Sequence, residues 1–285
     1  MSSNRLNSAR FLKRHEALSV SPRKMVKCLS PGRSSETCQT GRRSRPVPSH
    51  CLFAAFTGTP MPDTVRLHPD ISFCRVSGTF VFLDARGDRY FCLKGKQANW
   101  FDDIISIQHR AGSTPERAAF LAHLIRTSVL TRSPAPGRVL APCGHRPADR
   151  SLLDTGGAHA KGSVVRFLVS WLACVPMRRT RRIQAMLEDV RRRKKQITSE
   201  RPAEDVLPLT RRFHALALYF VTRHDACLLR SYLLLRYLVS AGVKADWVFG
   251  VRLSPFSAHC WVEYEGCVLN EHLETVHEFQ PILCA

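Results

Sequence analysis

Residues 224–230 read His224-Asp225-Ala226-Cys227-Leu228-Leu229-Arg230, and residues 258–263 read Ala258-His259-Cys260-Trp261-Val262-Glu263. A cysteine opens an apolar helical pattern, and a histidine follows 32 residues later in a strand-like run. An acid, Glu271, stands twelve residues beyond the histidine, with the amide Asn270 beside it. Cysteine, imidazole and an orienting oxygen are the parts of an activated thiol nucleophile.

Leu228, Tyr232, Leu235 and Val239 recur at helical period, and Leu229, Leu233 and Leu234 widen the apolar face. Asp225 is placed to cap the first turn and Gly242 to end the helix. Cys227 then falls in the first turn, where unpaired amides and the positive dipole end favour a thiolate. Residues 245–253 alternate as a strand, Ser254-Pro255 breaks the pattern, and residues 259–264 and 267–270 flank Glu265-Gly266 as a hairpin. Register then chooses the third residue. A loop Tyr264-Glu265-Gly266, with Gly266 left-handed in a bulge, puts His259 opposite Glu271. A loop of Glu265-Gly266 alone puts it opposite His272, with Asn270 the nearer diagonal neighbour. The bulge is the expectation, because Glu at the first position of a primed turn needs positive φ.

Cys-Leu-x-Arg-Ser at 227–231, a strand, His-x-Trp-Val-Glu at 259–263 and Gly-x-Val-x-Asn at 266–270 follow in order. This set resembles the transglutaminase-like, papain-like cysteine protease domain of lasso-peptide B proteins of the microcin J25 type, the leader peptidases of lasso-peptide biosynthesis. The resemblance implies Cys227 as nucleophile and His259 as base. Its third position, usually Asp, is held here by Glu271, and Asn270 remains a substitute orienting residue. It also implies cleavage after a penultimate threonine of the leader of a ribosomal precursor peptide. The implied partner is a separate, asparagine-synthetase-like lasso cyclase that closes the ring. The family links proteolysis to ATP, but no Gly-rich phosphate loop appears here, so no cofactor or nucleotide site is assigned.

The chain has 285 residues, a net charge of +20 and a pI near 10.2, which raises nucleic acid as a partner. The charge is uneven, however. Residues 1–60 carry eleven Lys/Arg against Glu16 and Glu36, and residues 178–195 carry nine against two acids. That distribution reads as a tail and a solvated helix surface, and an acidic leader peptide is a further beneficiary. Eleven cysteines without a secretory signal, and no apolar run of membrane-spanning length, imply a reducing, cytoplasmic setting.

The expected organisation is α+β. Residues 1–60 read as a disordered basic segment, with Met61 as an alternative start. Residues 61–133 combine an aromatic hairpin (79–84 and 90–93) with helical patterns at 97–108 and 115–130, a winged-helix-like unit. It resembles the PqqD-like RiPP recognition element that precedes the protease in those B proteins. That resemblance makes Tyr90, Phe91, Leu93, Leu121 and Leu124 the leader-binding candidates, with the leader adding as a strand to the hairpin. Pro- and Gly-rich residues 134–162 read as a linker, and Cys143-Gly144-His145 within it has no second pair at zinc spacing. Residues 163–285 form the protease domain. Its basic helix at 177–196 carries Ile183, Met186, Leu187 and Val190 at packing positions, which outweighs a membrane or nucleic-acid face. Two other classes keep a place: a transglutaminase-like acyltransferase using the same thiol, and a non-catalytic peptide- or nucleic-acid-binding protein.

Overall fold

Aromatic and β-branched side chains suit a pleated surface covered on both sides, and the runs near residue 80 take that form. The computed structural model describes residues 27–28, 65–106, 114–132, 136–155, 163–180, 182–220 and 227–285. The basic N-terminal segment, apart from 27–28, and the expected cap Asp225 lie outside the described residues. The N-terminal unit contains β1 (Lys27–Cys28), β2 (Val65–Leu67), β3 (Ile71–Val76), β4 (Thr79–Asp84) and β5 (Arg89–Leu93). Helices α1 (Lys96–Ser106) and α2 (Pro115–Arg126) and strand β6 (Leu130–Arg132) follow. The expected hairpin is therefore part of a larger meander β3-β4-β5, with β1 parallel to the outer edge of β5 and Lys27 opposite Phe91.

Alternation along these strands gives the sheet two apolar faces. Phe73, Phe80, Phe82, Phe91 and Leu93 pack with Phe101 of α1 and with Phe120 and Leu124 of α2. Phe82 and Phe91 stack at 4.8 Å, while Phe101 meets Phe73, Phe80 and Phe82 edge-on. The other face, with Cys74, Val81, Leu83 and Tyr90, enters the core of the C-terminal unit. This double burial takes in most of the side chains expected from sequence to bind a leader. Phe91, Leu93 and Leu124 are core residues, and Tyr90 is sealed against Phe256, ring centroids 5.6 Å apart. Of the five candidates, only Leu121 is half-exposed.

The C-terminal unit runs through β7 (Arg150–Ser151), α3 (Val164–Thr180), α4 (Ile183–Lys195), α5 (Val206–Phe220) and α6 (Cys227–Val239). It ends with β8 (Asp246–Leu253), β9 (Phe256–Tyr264), β10 (Cys267–Val268), α7 (Leu273–His277) and β11 (Gln280–Cys284). Its sheet has the order β11-β8-β9-β10-β7. Trp247, Phe249, Ala258, Cys260 and Val262 face the helices, and Val248, Trp261 and Val268 face α7 and Phe279. Ile183, Met186, Leu187 and Val190 of the basic helix are buried. Its one buried acid, Asp189, accepts from Tyr232 Oη at 2.8 Å, Arg236 at 2.7 Å and Arg193 at 3.0 Å. A buried carboxylate without such partners would cost several kcal/mol, on the order of 3–5. No described helix is long and apolar enough to cross a membrane.

The described part of the expected linker is tied to both units: Arg138 exchanges main-chain hydrogen bonds with Leu67 (2.7 and 3.0 Å), and β7 lies parallel to β10. Pro and Gly there remove helix and strand propensity without removing attachment. The β9–β10 turn is also shorter than expected. Tyr264 pairs with Cys267, and Glu265 and Gly266 both have positive φ, 48° and 73°. The strain at Glu265, about 1–2 kcal/mol, is offset because this register buries Val268 and Leu269. The β7 segment also binds the turn, through Arg150 to Glu265 O at 3.2 Å and Asp149 N–H to Gly266 O at 3.1 Å.

Gly250 of β8 lies directly opposite His259. A Cβ added there would stand 2.7 Å from Trp261 Cη2 and 2.8 Å from Phe279 Cβ. Gly250→Ala is expected to destabilise the fold by about 1–3 kcal/mol, the range for overpacking a filled site. Thermal or urea unfolding of the variant beside wild type measures this, and an unchanged midpoint would refute it.

Candidate active site

β10 pairs with β9 only at Glu263 and Tyr264. Beyond that point the rim of β9 lacks a neighbouring strand among the described residues, and its polar groups find other partners. Val262 N–H donates to Asn270 Oδ1 at 2.8 Å, and the Cys260 carbonyl accepts from Ser231 Oγ at 3.1 Å. Asn270 Nδ2 closes the set on Ser231 Oγ at 3.0 Å. Ser231 lies one helical turn after Cys227, so these bonds dock the first turns of α6 against the open rim. At a rim both faces of a strand are within reach. Cys227 accordingly lies close enough to His259 and Cys260 for its thiol to interact electrostatically with both.

His259 Nε2 lies 3.0 Å from Glu271 Oε2. The ring is 10% exposed and is held between Trp261, centroid 6.2 Å away, and Phe279, at 5.4 Å. Burial disfavours the charged imidazole, but hydrogen bonds to Cys227 and Glu271 outweigh it and raise the His259 pKa to about 9. A hydrogen bond from Cys260, opposed by burial and reinforced by His259, holds the Cys227 thiol well below its ordinary value. Burial alone would raise the Glu271 pKa; the hydrogen bond and charge of His259 and the His272 N–H instead hold it low. Cys227, His259 and Glu271 thus bias one another's protonation.

Glu271 reaches His259 by a different route from the cross-strand register read in the sequence. The two-residue turn would put His272 opposite. The chain leaves the ladder after Leu269, and Ser151 Oγ fixes the Glu271 carbonyl at 2.7 Å. His272 turns to Asp154 at 2.9 Å. Asn270, the substitute orienting residue, is engaged with Val262 and Ser231 and shapes the rim instead of holding the imidazole. His277 binds the Ala148 carbonyl at 2.9 Å, and the described residues contain no metal-ligating cluster.

Sequence reasoning missed His145. Its Nε2 lies 2.8 Å from Glu263 Oε2, and Glu263 Oε1 accepts the Trp261 indole N–H at 2.5 Å. Hydrogen bonds to Cys284 and Glu263 raise the His145 pKa to about 10 despite burial. Through Glu263 this pair fixes the Trp261 ring that stacks on His259. A buried acid in the motif signals a needed cation, but its partner stands 118 residues away.

The family model described as transglutaminase-like superfamily matches residues 171–284. A 45-residue stretch is 49% identical to the Microcin J25-processing protein McjB of Escherichia coli, covering 16% of this chain and 22% of that protein's length. No solved structure matches. Residues 171–284 are a transglutaminase-like domain.

Proposed function

We propose that this protein is the leader peptidase of a lasso-type biosynthetic system, a cysteine peptidase that cuts a ribosomal precursor between leader and core. The observation that carries the reading is the meeting of Cys227, His259 and Glu271 at the open rim, with His259 Nε2 at 3.0 Å from Glu271 Oε2. The local identity to a microcin J25-processing protein supports the substrate class.

In this reading the Cys227 thiolate attacks the scissile carbonyl, and main-chain amides at the start of α6 stabilise the oxyanion. Imidazolium His259 gives its proton to the departing amine of the core. Water then enters the acyl-enzyme, with His259 as base and Glu271 holding the ring. The released core amine is the group a separate cyclase would use. The leader would add along the outer edge of β5 through main-chain hydrogen bonds, in place of Lys27–Cys28, a mode that does not require the buried side chains of Tyr90, Phe91 and Leu93. Lys27–Cys28 already pairs with Phe91 and Cys92 there, which supports the edge as a seat for an extended segment.

Cys227→Ala is expected to abolish cleavage of a leader–core peptide while leaving leader affinity nearly unchanged; full residual activity would end the protease assignment. Mass spectrometry of the products separates hydrolysis from transfer to an added amine. The pH dependence follows from the charged pair. The productive state exists above the depressed thiol pKa and below the raised imidazole pKa of about 9. As pH rises through that value His259 loses its proton, and kcat/KM should fall about tenfold per pH unit beyond it. Glu271→Gln removes one group that raises the His259 pKa, so the alkaline limb should move to lower pH. The accompanying rate loss should lie within the roughly 10²–10⁴-fold that acid–base assistance supplies. An alkaline limb that does not move in the variant would remove Glu271 from the mechanism.

A further inference from the structure

Large apolar side chains left in water are usually scattered singly over a surface. Here they are gathered. Among the described residues nine stand exposed, and seven of the nine belong to α3 or to the last turn of α5. Val165, Val169 and Leu172 are 69%, 60% and 59% exposed and recur at helical spacing on α3, while Phe167, Ser170 and Cys174 on its other side are buried. Leu218 and Tyr219 at the end of α5 are 82% and 84% exposed. The next residue, Phe220, packs on Phe167 at 5.4 Å and on Trp171 at 5.8 Å, so the end of α5 lies against the flank of the α3 face. Charge around this face has one sign. Residues 163–187 contain five arginines and residues 206–224 three, with no Asp or Glu in either run.

We infer that the α3–α5 face seats the protein on an anionic lipid surface, a role separate from the peptidase reading and independent of it. Leu218 and Tyr219, each more than four-fifths exposed, protrude, and protruding apolar groups enter a lipid interface without a matching groove in a partner. A tyrosine beside a leucine suits that boundary, because the ring is apolar and the hydroxyl stays among the headgroups. The arginines attract anionic headgroups, and the absence of acids from both runs leaves nothing there to repel them. A second copy of the chain fits the face less well, since each copy carries +20 and two such faces brought together repel. The seat is peripheral, because no described helix is long and apolar enough to cross a membrane.

The test is co-sedimentation of the full chain with vesicles of phosphatidylcholine alone and of phosphatidylcholine with about 30% phosphatidylglycerol. The chain should pellet with the anionic vesicles and stay largely in solution beside the neutral ones, and added salt should weaken the binding. The paired substitutions Leu218→Ser and Tyr219→Ser should lower the partition coefficient onto anionic vesicles about tenfold or more, through the apolar area that no longer enters the interface. The pair Val169→Ser and Leu172→Ser should act in the same direction, and it serves in place of the first pair if that variant does not fold. No sedimentation with anionic vesicles would overturn the proposal. Binding that both folded variants keep at wild-type strength would overturn it too, since charge outside this face would then account for the attachment. A wild-type dimer that the same substitutions dissociate, without vesicle binding, would assign the face to a second copy instead.

Discussion

The site depends on a strand that stops early. β10 contributes two residues to the ladder, and the main-chain groups of β9 beyond it must still be satisfied because they lie inside the protein. Asn270 and Ser231 take over that task, and in doing so they fix α6 against the rim. Had the ladder continued, a neighbouring strand would have occupied the space now held by the Cys227 sulfur. An interrupted sheet thus provides both the space and the polar groups that hold the start of α6, with Cys227, beside it.

Buried charge is handled consistently across the C-terminal unit. Asp189 fastens α4 to α6 through Tyr232 and Arg236, and Glu263 fastens the 136–155 segment to β9 through His145. Neither acid faces the reacting groups. Both stand behind elements that do: Asp189 behind the helix of Cys227, Glu263 behind the Trp261 ring that stacks on His259. Such pairs add little net stability over apolar packing but penalise any arrangement that separates the partners. The rigidity of the site therefore derives from the cost of unpairing charges well away from it.

The helix of Cys227, the strand of His259 and the hairpin after it were legible because each rests on local periodicity. Leu228, Tyr232, Leu235 and Val239 mark the helix, and alternation marks the strands. What escaped was non-local. Glu271 was named through an assumed bulge, whereas the ladder uses a two-residue turn and Glu271 arrives only because the chain leaves the sheet after Leu269. His145 belongs to a stretch whose Pro and Gly content suggested a linker, and its partner Glu263 is 118 residues distant. The aromatics of the N-terminal unit were read as a binding surface because a sequence cannot tell a sheet covered on two faces from one covered on a single face. Tyr90 and Phe91 are neighbours in sequence yet belong to different cores.

That division of β5 between two cores has a mechanical consequence. Tyr90 packs on Phe256 and lies close enough to Cys227 and Cys260 to interact with both electrostatically. Phe91, the next residue, belongs to the other core and offers its main chain to the outer edge, where Lys27 pairs with it. One strand therefore carries both a sheet edge paired with an extended segment and a side chain in the core against which Cys227 packs. Units joined by a flexible tether would need to search for the scissile bond after capturing the leader. Here the shared core sets the distance from edge to sulfur, so on the proposed function the number of residues between the paired part of a leader and the cut would be a geometric constant of the fold.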